Sequence, residues 1–261
     1  MKLSIITINY NNQSGLETTI SSVVSQTCRD FEWLVIDGGS TDGSRELIER
    51  YSAQIDFCVS EKDNGIYHAM NKGIKASHGD YIMFLNSGDM LHDQRVVEST
   101  LPLLVDKDIY VGRINSIGLT NATDEEQADF SPQAILRKLT FTWMPHQASF
   151  FKRSYFEDYG MLREDKKIVS DWWSYYRGLV IGQARITSLP ITIADYDTTG
   201  ASTNREGTEK EVHELLTEYP QIHLYYNFYR ENYDIVNTLR NNRVAFFVYR
   251  IFAFVIRKIS S

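Results

Sequence analysis

The sequence predicts an α/β domain with a mainly parallel sheet flanked by helices, and three observations carry that prediction. Short apolar, β-branched runs alternate with helical patterns through the first hundred residues. The strand-like runs stop abruptly at polar, turn-forming residues, at Asn9, at Asp37 and over Asn86–Asp89. The 261 residues, 43% hydrophobic and 13% aromatic, suffice for one large core with an appendage.

Leu3–Ile8 is the first strand, and Ser14-Gly-Leu-Glu17 has the form of a capping box opening a helix to about Gln26. Phe31–Ile36 is the second strand; the turn Asp37-Gly-Gly-Ser-Thr-Asp-Gly43 leads from it into a helix through Arg50. A weak strand near Phe57–Val59, a helix over Tyr67–Ala76 and a strand over Tyr81–Leu85 complete the alternation. In the second half, Ile109–Ile114 and Ala148–Phe151 read as strands and Val169–Leu179 as a helix, while Arg185–Ala194 is extended and interrupted by Pro190. From Glu209 the pattern is helical, which divides the chain into a domain over 1–204 and a helical region over 205–261.

Composition excludes some classes. A net charge of −7 argues against general nucleic-acid binding, which needs a basic surface to displace counterions. Cys28 and Cys58 have no metal-ligand spacing and read as reduced thiols of a cytosolic protein. The apolar run Met1–Ile8 is too short for a secretory signal. No stretch reaches the roughly 20 apolar residues of a membrane-spanning helix.

In parallel sheets, ligands gather at the carboxyl ends of the strands. Thr7, Asn9, Asp37, Asn86 and Asp89 all sit at or just after strand ends, so they are expected to converge on one crevice. Taken singly, Asp37 and Asp89 are explained by turn chemistry. The functional alternatives are a nucleobase acceptor for Asp37 and a metal and phosphate site at Asp89. The G-x-G-x-x-G dinucleotide fingerprint is absent. Asn71 and Gly73 are unfavourable inside a helix, and with Gly65 they suggest close approach by a ligand or another backbone.

Four segments occur in order: Ser4-Ile-Ile-Thr-Ile-Asn-Tyr-Asn11, the Asp37 turn, Asn64-Gly-Ile-Tyr-His-Ala-Met-Asn-Lys-Gly73 and Phe84-Leu-Asn-Ser-Gly-Asp89. Together they resemble the family 2 glycosyltransferases of GT-A fold, particularly bacterial enzymes of colanic-acid, capsule and O-antigen assembly. The resemblance spans about residues 3–202. It implies that Thr7, Asn9 and Tyr10 line a nucleobase pocket, that Asp37 reads the base edge, and that Asp63 and Lys72 lie near ribose and diphosphate. The family's strand-end motif is Asp-x-Asp followed by a further Asp; here Asn86 and Gly88 replace the two motif aspartates and leave Asp89. Asp89 is then the ligand of a Mn²⁺ or Mg²⁺ ion, which binds through few carboxylates when phosphates and water complete its shell. Asn86 becomes a hydroxyl contact.

Met144-Pro-His-Gln-Ala-Ser-Phe-Phe151 and Ile168-Val-Ser-Asp-Trp-Trp-Ser-Tyr-Tyr-Arg177 also fit the family. They imply Asp171 as catalytic base, although Ser170 and Asp171 are equally ordinary residues for a helix start. His146 and Gln147 are either a buried structural pair or contacts to acceptor or diphosphate. The resemblance implies that Thr198–Thr203 is a loop closing over the donor, though ordinary loop composition explains the segment nearly as well. The implied reaction is inverting transfer of a hexose from a nucleotide sugar, UDP-linked, to a polyprenyl-diphosphate-linked saccharide. No Gln-x-x-Arg-Trp motif of processive synthases is present. A sugar-nucleotide pyrophosphorylase would want a Gly- and Arg-rich loop where Tyr10-Asn-Asn-Gln-Ser14 stands, and a non-catalytic nucleotide-sugar-binding scaffold is the other alternative.

Near the C-terminus, Arg243, Arg250 and Arg257 recur every seven residues among Phe, Val, Ile and Ala. On a helix this is a basic stripe on an apolar cylinder, expected to lie on the inner face of the cytoplasmic membrane among anionic headgroups. Docking on the chain's own core or in a homodimer is the alternative.

Overall fold

The computed structural model describes residues 2–116, 129–141, 144–196 and 205–220, together with 223, 226 and 227. The Thr198–Thr203 loop and the basic and apolar tail over 240–258 therefore lie outside the described residues. Two compact units divide the chain, Met1–Val212 and His213–Ser261, and the sheet belongs wholly to the first.

Strands β1 (Leu3–Asn9), β2 (Phe31–Asp37), β3 (Phe57–Ser60) and β4 (Tyr81–Phe84) form an all-parallel run in a sheet that has eight strands among the described residues. β1 and β2 are buried at every position, as expected of strands with helices over both faces. Helices α1 (Gln13–Val24), α2 (Ser44–Arg50) and α3 (Ile66–Ala76) are the crossovers. Strand order β3-β2-β1-β4 reverses direction at β1, so the crevice beyond the carboxyl ends of β1 and β4 is the topological switch point.

The remaining strands are β5 (Met90–Leu91), β6 (Ile109–Ser116), β7 (Ser149–Lys152) and β8 (Ile186–Tyr196), which extend the order as β4-β7-β6-β8-β5. β7 runs antiparallel to both β4 and β6, whereas β8 is parallel to β6 and antiparallel to β5. Short helices α4 (Val96–Thr100), α5 (Pro132–Phe141), α6 (Tyr155–Asp158) and α7 (Ser170–Tyr176) pack around this half, and α8 covers Arg205–Glu218. A π-helical turn over Arg177–Ile181 continues α7.

Two local expectations are corrected. The cap of α1 is Asn12, whose side-chain oxygen accepts the Gly15 N–H at 3.2 Å, and not the Ser14 of the apparent capping box. Asn12 lies just outside the first turn, where its acceptor meets an unpaired helical N–H; Ser14 is already inside it. The close approach at Gly73 is made by a side chain: a Cβ there would stand 2.4 Å from Ile6 Cγ2, so glycine lets α3 settle onto β1. Gly65, with φ +119°, faces open space and leaves room for a ligand.

Candidate active site

At the switch point lies a cavity of about 930 Å³. Its wall includes Asn9 and Tyr10 after β1, Asp63 after β3, Asn86 and Asp89 after β4, His146 and Gln147 before β7, and Asp171 in α7. Eight residues singled out from the sequence thus meet in one space, from five separate stretches of chain.

The β2 end of the cavity is shaped by glycine. A Cβ at Gly38 would lie 3.1 Å from the Tyr10 ring and 3.2 Å from an Asp63 carboxylate oxygen, so these three groups converge. Tyr10 is 67% exposed, an unusual state for an aromatic ring, and offers a flat face to a planar ligand.

Thr7, Asp37 and Lys72 do not line this cavity. Thr7 is fully buried, and its hydroxyl accepts the Trp33 indole N–H at 3.1 Å. Asp37 is also fully buried and its carboxylate is saturated. It accepts from Asn9 Nδ2 at 2.8 Å, Ser40 N at 3.0 Å, Ser60 Oγ at 2.6 Å, Ser40 Oγ at 2.5 Å and Gly39 N at 3.2 Å. Burial pushes the Asp37 carboxyl up, but these donors outweigh it and hold it below the usual carboxylate range. Lys72 pairs with Glu61 at 2.7 Å and with Asp63 at 2.6 Å, so its charge goes to fixing Asp63. The lysines that do line the cavity are Lys62 and Lys167, neither of which makes an ion pair among the described residues.

The strand-end turn is anchored from α1. Thr19 Oγ1 lies 2.7 Å from the Asp89 carbonyl oxygen and accepts the Gly88 N–H at 3.0 Å. Gly88 has φ +107°, a backbone state that a side chain would strain, so the replacement of a motif aspartate by glycine suits this turn. Asn12 Nδ2 donates to the Ser87 carbonyl at 3.1 Å. Asp89 itself is only 4% exposed.

Among the described residues, no group of three or more His, Cys, Asp or Glu could enclose a metal ion. A divalent cation whose shell is completed by diphosphate oxygens and water fits what is present. Asp89 borders the cavity, and the Oδ1 of neighbouring Asn86 is buried with no hydrogen-bond partner.

Asp171 stands at the centre of a hydrogen-bonded chain. Tyr67 donates its hydroxyl to Oδ1 at 2.9 Å, and His146 Nδ1 meets Oδ2 at 2.9 Å. The far nitrogen of His146 is 3.3 Å from Asn86 Nδ2, which links the α7 carboxylate to the strand-end motif. Burial raises the Asp171 carboxyl, yet His146 and Tyr67 together bring it below its ordinary value. Burial lowers His146, and Asp171, with a further contribution from Asp89, brings it above its ordinary value. Each group thus favours the charged form of the other.

This pairing makes stability depend on pH in opposite senses at its two ends. The depressed Asp171 stabilises the fold above its ordinary value of 3.8 and loses that contribution as pH falls through its folded value. The raised His146 stabilises below its ordinary value of 6.5 and loses that contribution as pH rises through its folded value. His146→Gln is therefore expected to lower Tm more at pH 5.5 than at pH 9, by thermal unfolding in matched buffers. Equal losses at both pH values would contradict the ion pair.

The crevice bordered by the exposed Tyr10 ring and by Asp89 and Asp171 lies at the edge where sheets of this kind take their ligands. The family model for glycosyl transferase family 2 matches residues 4–177, and the chain belongs to that family. An uncharacterized glycosyltransferase of Mycobacterium tuberculosis is 30% identical over 226 residues, 84% of this chain and 85% of the relative. Staphylococcus aureus TarS 1-349, solved in complex with UDP-GlcNAc, superposes with a TM-score of 0.64 at 16% identity, over 77% of this chain and 60% of that one. A mannosyltransferase of Pyrobaculum calidifontis, solved with GDP-Man and Mn²⁺, gives a TM-score of 0.56 at 18% identity, over 75% and 56%. The chain is a glycosyltransferase with a GT-A fold. Among the described residues no helix is long and apolar enough to cross a membrane.

Several residues that build or support the site carry no signal of it in the sequence. Tyr67 stands in the Asn64–Gly73 segment, where its spacing marks it only as a helical residue. Lys62 and Lys167 sit in loops, where nothing in the pattern tells which way a lysine faces. Thr19 is a helical residue whose hydroxyl gained its role only when α1 packed against the β4 turn.

Proposed function

We propose that the protein is an inverting, non-processive hexosyltransferase of cell-surface polysaccharide assembly. It moves a hexose from a UDP-linked donor to a hydroxyl of a polyprenyl-diphosphate-linked saccharide, at the inner face of the cytoplasmic membrane. One observation supports this reading: Tyr10, Asp89 and Asp171 border the same cavity, so the groups proposed for nucleobase, cation and acceptor proton can serve one bound ligand.

In this reading the nucleobase lies against Tyr10 beside Gly38 and Asp63, with Lys62 near the phosphates. Asp89, and Asn86 through its partnerless oxygen, would hold Mn²⁺ or Mg²⁺, which neutralises charge developing on the departing diphosphate. Gln147 borders the sugar. Asp171 takes the proton of the acceptor hydroxyl, and the acceptor oxygen bonds to the anomeric carbon from the face opposite the nucleotide. The bond from that carbon to the diphosphate oxygen breaks, and UDP leaves with the electron pair.

Asp171 can do this while keeping its two neighbours, because each carboxylate oxygen has a second lone pair. Tyr67 and His146 fix the orientation of the remaining ones. The recurrence of Arg243, Arg250 and Arg257 among apolar residues in the sequence supports the membrane location, since anionic headgroups attract clustered basic residues. The test is a turnover assay with purified protein, a panel of UDP-hexoses and a polyprenyl-diphosphate saccharide in the presence of Mn²⁺. Glycosylated product with inverted anomeric configuration is expected; absence of transfer from every UDP-hexose, or retained configuration, would overturn the proposal.

A further inference from the structure

Glu211, on α8, lies beyond the stretch matched by the family model and makes an unusual set of contacts. Its Oε1 accepts the Lys167 N–H at 2.9 Å, and its Oε2 accepts the N–H groups of Ile168 at 2.9 Å and Val169 at 3.2 Å. One carboxylate therefore holds three consecutive backbone donors, which demands a curved backbone with all three N–H groups on its inner side. These residues lead directly into α7, whose own N-cap, Val169, supplies no side-chain cap.

The clamped segment is part of the site. Lys167 and Ile168 line the cavity, and Asp171 follows two residues after the clamp. Without Glu211, three donors at the cavity rim would turn to water, and the segment would lose the contacts that set its path. The base-binding side, built from Tyr10, Gly38 and Asp63 after β1, β2 and β3, contains none of the clamped residues.

We infer that Glu211 is a positioning residue for transfer. Resting on the hexosyltransferase reading, its role is to fix the acceptor-side wall, and with it the placement of the Asp171 carboxylate against the acceptor hydroxyl. It touches neither substrate. A displacement of the base of about 1 Å is enough to cost roughly a hundredfold in rate.

The test has two arms, one independent of turnover. In hydrogen exchange on the full chain, the amides of 167–169 are expected to exchange at least tenfold faster in Glu211→Ala, with β1–β4 unchanged. In steady-state assays the same variant is expected to lower kcat by 10- to 100-fold and to raise the acceptor KM, while the Kd for UDP with Mn²⁺ stays within twofold. Glu211→Gln, which keeps one carbonyl oxygen facing the donors, is expected to fall between the two, and it decides the matter if the alanine variant does not fold. Unchanged exchange at 167–169 overturns the clamp. Wild-type kcat and acceptor KM in either folded variant overturn the positioning role, as does a parallel loss of UDP affinity and Tm, which marks a general structural defect. If wild-type protein itself transfers no sugar while the exchange arm behaves as expected, the hexosyltransferase reading fails and the clamp stands.

Discussion

Asp171→Asn is expected to lower kcat by about three orders of magnitude, within the range lost when a positioned general base is removed, and to leave UDP affinity within about twofold. The substitution keeps the shape of the side chain. An asparagine oxygen still accepts from Tyr67, and its amide donates to His146 once the imidazole is neutral at Nδ1. The wall therefore survives, and the capacity to take a proton disappears. The His146 and Tyr67 donors favour the anionic form of Asp171, the form that can accept a proton. Steady-state kinetics with saturating donor, together with calorimetry for UDP, separate the two effects. Wild-type turnover in the variant would remove Asp171 from the chemistry.

Asp37→Asn is expected to act on stability. The native carboxylate is fully buried and receives five hydrogen bonds from Asn9, Gly39, Ser40 and Ser60. An asparagine turns one acceptor oxygen into an NH₂ group that faces other donors, leaving them unsatisfied. Breaking such a buried charged network costs about 3 kcal/mol, which for a unit of this size lowers Tm by roughly 6–12 °C. The carboxyl is depressed in the fold, so its contribution is present above the ordinary value of 3.8 and fades as pH falls through the folded value. Thermal unfolding at pH 7 and at pH 3 checks both the size and the sign. A stable variant with weakened UDP binding would instead assign Asp37 to the base edge, the role implied by the family resemblance.

The contrast between Asp37 and Tyr10 shows what the sequence could disclose. Strand identity was legible because β-branched runs such as Leu3–Ile8 and Phe31–Ile36 leave few alternatives to a buried strand. Convergence of the strand ends was legible too, because parallel strands deliver their carboxyl ends to the same edge. Whether a residue at that edge faces the crevice or stands behind it was not. Thr7 and Asp37 turned inward because a buried indole and a set of serine hydroxyls needed partners there. Lys72 was drawn to two carboxylates of the preceding loop, one of which, Asp63, then became the cavity residue.

Short elements escaped for a different reason. Helices α4 and α6 have five and four residues, and β5 has two, too few for a period to show. Glu211 was invisible for a third reason. Nothing in its own neighbourhood marks it, and its partners lie more than forty positions earlier in the chain.

The central claim is that one crevice at the β1 and β4 strand ends holds a nucleoside diphosphate with a cation on Asp89. Calorimetric titration of UDP with and without Mn²⁺, into wild-type protein and Asp89→Ala, tests it most directly. Wild type is expected to bind UDP at least tenfold more tightly with Mn²⁺, and the variant, folded by its unchanged Tm, to lose that dependence. Equal enhancement by Mn²⁺ in both proteins, or no UDP binding by either, would contradict it.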